Sequence, residues 1–158
     1  MEAVKQSDRA VKHSDFVLDE QLCFALHTAS RAMTGCYRPL LEAMGLTYSQ
    51  YAVMLVLWEH DSVTLGVLCS RLQLDTGTLS PLLKRLDAQG LLTRQRRAED
   101  ERTVQLTLTP KGRALRERAA AARAQVVQDT GLAQQELGGL RDQLHVLAAR
   151  LRSVDHAS

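Results

Sequence analysis

Residues 75–109 read DTGTLSPLLKRLDAQGLLTRQRRAEDERTVQLTLT, and the spacing of apolar side chains changes partway through. In the first half Leu79, Leu82, Leu83 and Leu86 recur three and four residues apart, which places them on one helix face. Asp75 is a capping residue at the start and Gly90 a stop at the end. Pro81 leaves the beginning ill-defined, because proline is comfortable only in a first turn. Beyond Gly90 the period falls to two. LLTRQR (91–96) and RTVQLTLT (102–109) read as strands, the second with Val104, Leu106 and Leu108 inward. Between them RAEDE (97–101) is a charged, exposed tip.

Working outward, TYSQYAVMLVLWEHD (47–61) opens with Thr47 and Gln50 in capping-box spacing ahead of an apolar run. A short helix is expected from about Thr64 to Leu72. Three helices with short connections, then two strands joined by a charged turn, predict a winged helix-turn-helix. Thr109 and Pro110 cap and begin a further helix.

Two apolar stripes flank this unit. Leu22, Leu26, Ala29, Met33, Tyr37, Leu40 and Met44 predict a long amphipathic helix from about Asp19 to Met44. Asp19 and Glu20 suit its start and Gly45 its end, while Pro39 can kink its last turns. Leu137, Leu140, Leu144, Leu147 and Leu151 form the second stripe, on a helical segment reaching about Arg152. With no other surface to cover, both stripes are expected to pack in a dimer, a monomeric bundle being the alternative. The expected fold is mainly α with a small β-wing. Its parts are a mobile arm (1–15), an N-terminal dimerisation helix (16–46) that carries Cys23, a winged helix-turn-helix (47–109), C-terminal dimerisation helices (110–152) and a tail (153–158).

Composition narrows the function. Hydrophobic residues at 45% and charged residues at 24% describe an ordinary soluble domain. A net charge of +2 does not by itself mark a nucleic-acid binder, but Arg85, Arg94, Arg96, Arg97 and Arg102 cluster around the strands. The cysteines, Cys23, Cys36 and Cys69, are odd in number and lack metal-ligand spacing, so neither a metal nor another cofactor is expected. No secretory signal or membrane-length apolar run appears, which predicts a cytoplasmic protein with reduced thiols and no membrane partner.

If the helix over 75–88 enters the major groove of double-stranded DNA, its exposed side chains are Thr76, Thr78, Ser80, Lys84 and Arg85. Arg102 on the wing suits a narrow minor groove, and Asp100 can hold its guanidinium through paired hydrogen bonds. For each of these, a solvated surface side chain is the competing reading.

The order of elements, centred on residues 74–115, resembles the MarR-type winged-helix repressors, notably in the Asp-x-Arg wing tip (100–102) followed by Thr-x-x-Gly (109–112). LDEQLCFALHTASRAM (18–33) and YRPLLEAMGLTYSQYAVMLVLWE (37–59) are similar to the organic-hydroperoxide-sensing OhrR branch. The resemblance spans roughly residues 18–150. It implies a homodimeric repressor, not an enzyme, that holds operator DNA until an organic hydroperoxide oxidises one cysteine. Matched positions make Cys23 the sensor and Tyr37 and Tyr48 its hydrogen-bond partners.

Helix geometry constrains that implication. Fourteen residues separate Cys23 from Tyr37, so on one helix they share a side but stand about 21 Å apart. Two such helices packed antiparallel would bring Tyr37 of one chain to Cys23 of the other, with Tyr48 approaching from the next segment. Phe24, Leu26, Met54 and Leu57 would supply an apolar surround favouring organic peroxides. The helix after the wing contains RAQVVQDTGLAQQEL (123–137) and no resolving cysteine, which leaves a small thiol as the partner of oxidised Cys23. Cys36 is a competing disulfide partner and Cys69 a structural residue. A thiol peroxidase, a repressor released by a non-oxidising ligand such as a phenolic compound, and a protein-interaction module are the rival functions.

Overall fold

The computed structural model describes residues 16–155. The arm expected over 1–15 lies outside them, as do residues 156–158. A 3-10 turn, Leu18–Glu20, leads into α1 (Leu22–Glu42), followed by α2 (Tyr48–His60). Then come β1 (Ser62–Thr64), α3 (Leu65–Leu72), α4 (Thr76–Ala88), β2 (Leu92–Arg97) and β3 (Asp100–Leu108). The long helices α5 (Pro110–Asp129) and α6 (Gln134–Asp155) follow. The fold is mainly α with a small antiparallel wing, and α6 runs into the segment expected as a tail.

Local chemistry sets the boundaries. The Gln50 N–H donates to the Thr47 hydroxyl at 3.3 Å while the Gln50 side chain accepts from the Thr47 N–H at 2.9 Å, a complete capping box. Such a cap contributes about 1 kcal/mol. The side chains of Thr64, Asp75 and Thr109 cap α3, α4 and α5 by accepting from the backbone N–H three residues on, without the return bond. Gly90, at φ +72°, takes the left-handed turn that lets the Leu91 N–H reach back to the Leu86 carbonyl at 3.0 Å.

The sheet has the order β1-β3-β2, antiparallel throughout. β1 was not expected, because three residues are too few to show a period. Val63 pairs with Leu106 and Leu92 with Leu108, which turns these apolar side chains toward the helices. A register shift falls between Arg96 and Arg97, and the strands extend until only Ala98 and Glu99 of the expected tip lie between them. The core collects Leu57, Leu68, Leu79, Leu83, Leu86, Leu92 and Leu106 from α2, α3, α4 and the sheet.

The two terminal stripes behave differently from one another. Tyr37 and Leu41, in the second half of α1, are buried within the chain, where α1 meets α2 and α5. The expectation that this stripe has no surface of its own chain to cover therefore fails there, because α5 returns alongside α1. Its first half stays open, with Leu22 and Met33 exposed. On α6, Leu140, Leu144, Leu151 and Val154 are likewise exposed.

Thr109 and Gly112 fasten α5 to the wing. The Thr109 hydroxyl accepts from the Gly112 N–H at 3.0 Å and donates to the Gly90 carbonyl at 2.6 Å. A Cβ on Gly112 would stand 2.0 Å from the Leu91 carbonyl oxygen, so only glycine fits. Trp58 Nε1 donates to the Gly112 carbonyl at 2.9 Å, tying α2 to the same point. Gly112→Ala is expected to destabilise the fold by about 2–3 kcal/mol or more through overpacking, read as a lower urea midpoint at unchanged m value.

Candidate nucleic-acid interface and thiol site

α4 begins at Thr76 and continues through Pro81, which occupies its interior and not its first turn. Asp75 makes that early start possible: its Oδ1 accepts from the Thr78 N–H at 2.7 Å. Thr76, Thr78, Ser80, Lys84 and Arg85 are all exposed. The Ser80 hydroxyl donates to the Thr76 carbonyl at 2.8 Å, so part of its hydrogen-bonding capacity is spent within the helix. Thr76 also lies 3.8 Å, oxygen to sulfur, from half-buried Cys69, which joins α3 to the start of α4.

The wing adds a second exposed surface. Asp100 accepts from the Arg102 backbone N–H at 3.0 Å and from the Thr103 hydroxyl at 2.6 Å. These contacts order the backbone that carries Arg102, a local turn-forming arrangement of aspartate. Arg94, one of the clustered arginines, pairs with Asp87 at 3.1 Å and so braces β2 against α4. Arg85, Arg96 and Arg102 are exposed.

The thiol site is divided within one chain. Cys23 is the second residue of α1 and exposed, whereas Tyr37 is buried near the other end of the same helix. The chain does bring Tyr37 and Tyr48 together, with ring centroids 5.7 Å apart. Tyr51, a residue sequence reasoning passed over, completes the group at 5.3 Å from Tyr37 and 5.9 Å from Tyr48. Its position in an apolar helical run made it look like ordinary core. Burial, followed by the neighbouring Tyr37 phenol, raises the pKa of both Tyr48 and Tyr51, more strongly for Tyr51. Both phenols are therefore kept as proton donors.

Two residues of the expected apolar surround do not serve it. Met54 and Leu57 are fully buried in the core of the chain, so neither is open to line a site at the surface. Phe24 and Leu26 remain half-buried on α1 beside Cys23. Cys36 is exposed next to Tyr37.

A helix-turn-helix with an arginine-bearing wing defines a DNA-binding regulator of the MarR type. Residues 36–118 match the family described as "Transcriptional regulator SarA/Rot". The chain is similar to the organic hydroperoxide resistance transcriptional regulator of Bacillus subtilis (strain 168), 48% identical over 108 residues, covering 68% of this chain and 74% of that protein. It is also similar to the solved structure of overoxidized AbfR bound to DNA, at 34% identity and a TM-score of 0.71, covering 85% of this chain and 94% of that one. AbfR, from Staphylococcus epidermidis, has a disulfide-formed structure that matches at 35% identity and a TM-score of 0.63, over 83% and 92% of the two chains. This chain belongs to the SarA/Rot family of MarR-type winged-helix transcriptional regulators.

The Asp75 cap makes α4 sensitive to acid. Hydrogen bonds from Thr78, the backbone N–H first, hold its carboxyl below the ordinary value of 3.8. A depressed carboxyl adds stability above its unfolded pKa, and the addition is lost as pH falls through the folded pKa. The stability difference between wild type and Asp75→Ala is expected to stay constant from neutral pH to about pH 5 and to shrink below the unfolded value. Urea unfolding of both proteins across that range checks it.

Proposed function

We propose that this protein is a homodimeric repressor that leaves double-stranded operator DNA when an organic hydroperoxide oxidises Cys23. The observation that carries the reading is an exposed thiol at the start of α1 with a pair of phenols, Tyr37 and Tyr48, gathered at the far end. Two α1 helices packed antiparallel bring each thiol to the other chain's phenols. The exposed apolar residues Leu22 and Met33 on α1 and Leu140, Leu144 and Leu151 on α6 supply surface for that pairing.

The chemistry follows from the groups assembled. Phenolic O–H donors stabilise the thiolate, which is the nucleophile. Its sulfur attacks one peroxide oxygen, the O–O bond breaks, the alcohol leaves after taking up a proton, and sulfur is left as sulfenic acid. A small thiol then condenses with it, releasing water and forming a mixed disulfide. Sulfur so modified no longer accepts from the phenols, the α1 helices shift, and the two α4 helices lose their match to successive major grooves. Cys36 is the thiol that competes for this disulfide, and peptide mass spectrometry separates a Cys23–Cys36 bridge from a small-thiol adduct.

The test is operator binding by wild type and Cys23→Ser, with and without cumene hydroperoxide. Release of the wild type alone is the expected result. A second reading is favoured by a cavity of ≈ 210 Å³ between α2 and α5, with Tyr51, Leu55 and Trp58 at its walls and Arg116 and Arg123 beside them. It is smaller than the roughly 300 Å³ at which drug-sized pockets begin, so it suits a single-ring acid. Retention of a response to such an acid by Cys23→Ser, with no response to peroxide in either protein, selects that reading.

On the DNA side, Arg102→Ala is expected to weaken operator binding roughly tenfold and to lower the salt slope by about one unit. Binding isotherms at several salt concentrations measure both.

A further inference from the structure

The turn that ends α1 is held from two other helices. Gly45, at φ +73°, takes the left-handed turn there, and Leu46 donates its N–H back to the Leu41 carbonyl at 3.0 Å. The Ala43 carbonyl accepts from Arg118 Nη2 of α5 at 2.8 Å. The Gly45 carbonyl accepts from Gln89 Nε2 at 2.9 Å. Gln89 closes the C-terminal end of α4, its own N–H bonded to the Arg85 carbonyl at 3.0 Å. Lys111 Nζ, from the first turn of α5, donates to the Gln89 carbonyl at 2.7 Å.

These bonds join segments far apart in the chain: 44 residues separate Gly45 from Gln89, and 75 separate Ala43 from Arg118. The turn has little slack. Leu46 is buried in the core and Thr47 already caps α2, so the Gly45 carbonyl moves with the last turn of α1. A carbonyl oxygen only accepts, which makes the Gln89 amide the donor of this bond. The Gln89 Oε1 is buried and accepts from no group among the described residues, so the bond to Gly45 is what fixes the amide.

We propose that Gln89 is a positioning residue that couples the thiol helix to the DNA-facing helix: its side-chain amide passes a displacement of the turn after α1 to the C-terminal end of α4. The assignment rests on the peroxide-sensing reading above, in which α1 carries Cys23 and shifts when that thiol is modified. Coupling between two sites is a difference in contact free energy between two states. The Gln89 amide contributes to it by holding the turn in the DNA-binding arrangement and losing it once α1 moves. Lys111 and Arg118 anchor the two ends of the link against α5. Packing of α1 on α2 and α5 forms the remaining route, so loss of the amide lowers the coupling without abolishing it.

The test uses the full-length protein as wild type and Gln89→Met, which keeps an unbranched side chain of similar length but has no donor. Operator affinity is measured for the reduced protein and again after full oxidation with cumene hydroperoxide in the presence of cysteine. Mass spectrometry checks the state of Cys23 in each sample. The readout is the ratio of the two dissociation constants. It is expected to fall roughly threefold to tenfold in Gln89→Met, the effect of one lost hydrogen bond. The rate of Cys23 oxidation should match the wild type, because Gln89 lies at the end of α4 and Cys23 at the start of α1.

A wild-type ratio in Gln89→Met, even with weaker binding in both oxidation states, overturns the assignment and leaves the sensor reading standing. If Gln89→Met does not fold, hydrogen exchange of the wild type decides. Oxidation should raise exchange at amides 43–46 and 86–91 together, and a rise confined to one segment, or to neither, overturns the assignment as well. Operator binding by the wild type that ignores Cys23 oxidation overturns both readings together.

Discussion

The contact between Gly112 and the Leu91 carbonyl is the point on which the rest of the molecule is hung. Close approach there seats the first turn of α5 on the residue that starts the wing, and the Trp58 indole closes the junction from α2. One residue thus sets how the winged unit meets the long helices beyond it. Thr109 adds the cap and a bond to the Gly90 carbonyl, so the end of α4 is held by the same few atoms. A side chain at position 112 would force all of these apart.

From that junction two consequences run in opposite directions. In the winged unit, α4 and β2 are braced by Asp87 and Arg94, and the wing tip is ordered by Asp100. Toward α1, Trp58 backs Tyr51, Tyr51 backs Tyr37, and Tyr37 lies where α1 crosses α2 and α5. The winged unit and the tyrosine cluster therefore share one support.

Capping residues and periodicity exposed much of this before any coordinates. The caps at Thr47, Asp75 and Thr109, the α4 face, and the inward alternation of β3 all depend on residues a few positions apart, and all were legible. β1 was not, because its three residues are a strand only by virtue of pairing with β3. Tyr51 was hidden for a related reason: within a run of core residues, nothing local distinguishes a phenol that backs another phenol. The hydrogen bonds that Asp100 accepts from the Arg102 backbone N–H and the Thr103 hydroxyl were also missed, because opposite charges two residues apart point to side chains and not to the backbone.

The sequence by itself determined the helix boundaries, the wing, and the residue types able to address DNA or a peroxide, since these follow from neighbours within a turn or a strand. Only the tertiary structure decided which apolar faces were already taken. It buried the second half of the α1 stripe under α5 and turned Met54 and Leu57 into the core. It also gathered three tyrosines from two helices into one cluster. Burial and aromatic clustering are set by how elements far apart in the chain meet, and the spacing of residues along one element carries no record of that meeting.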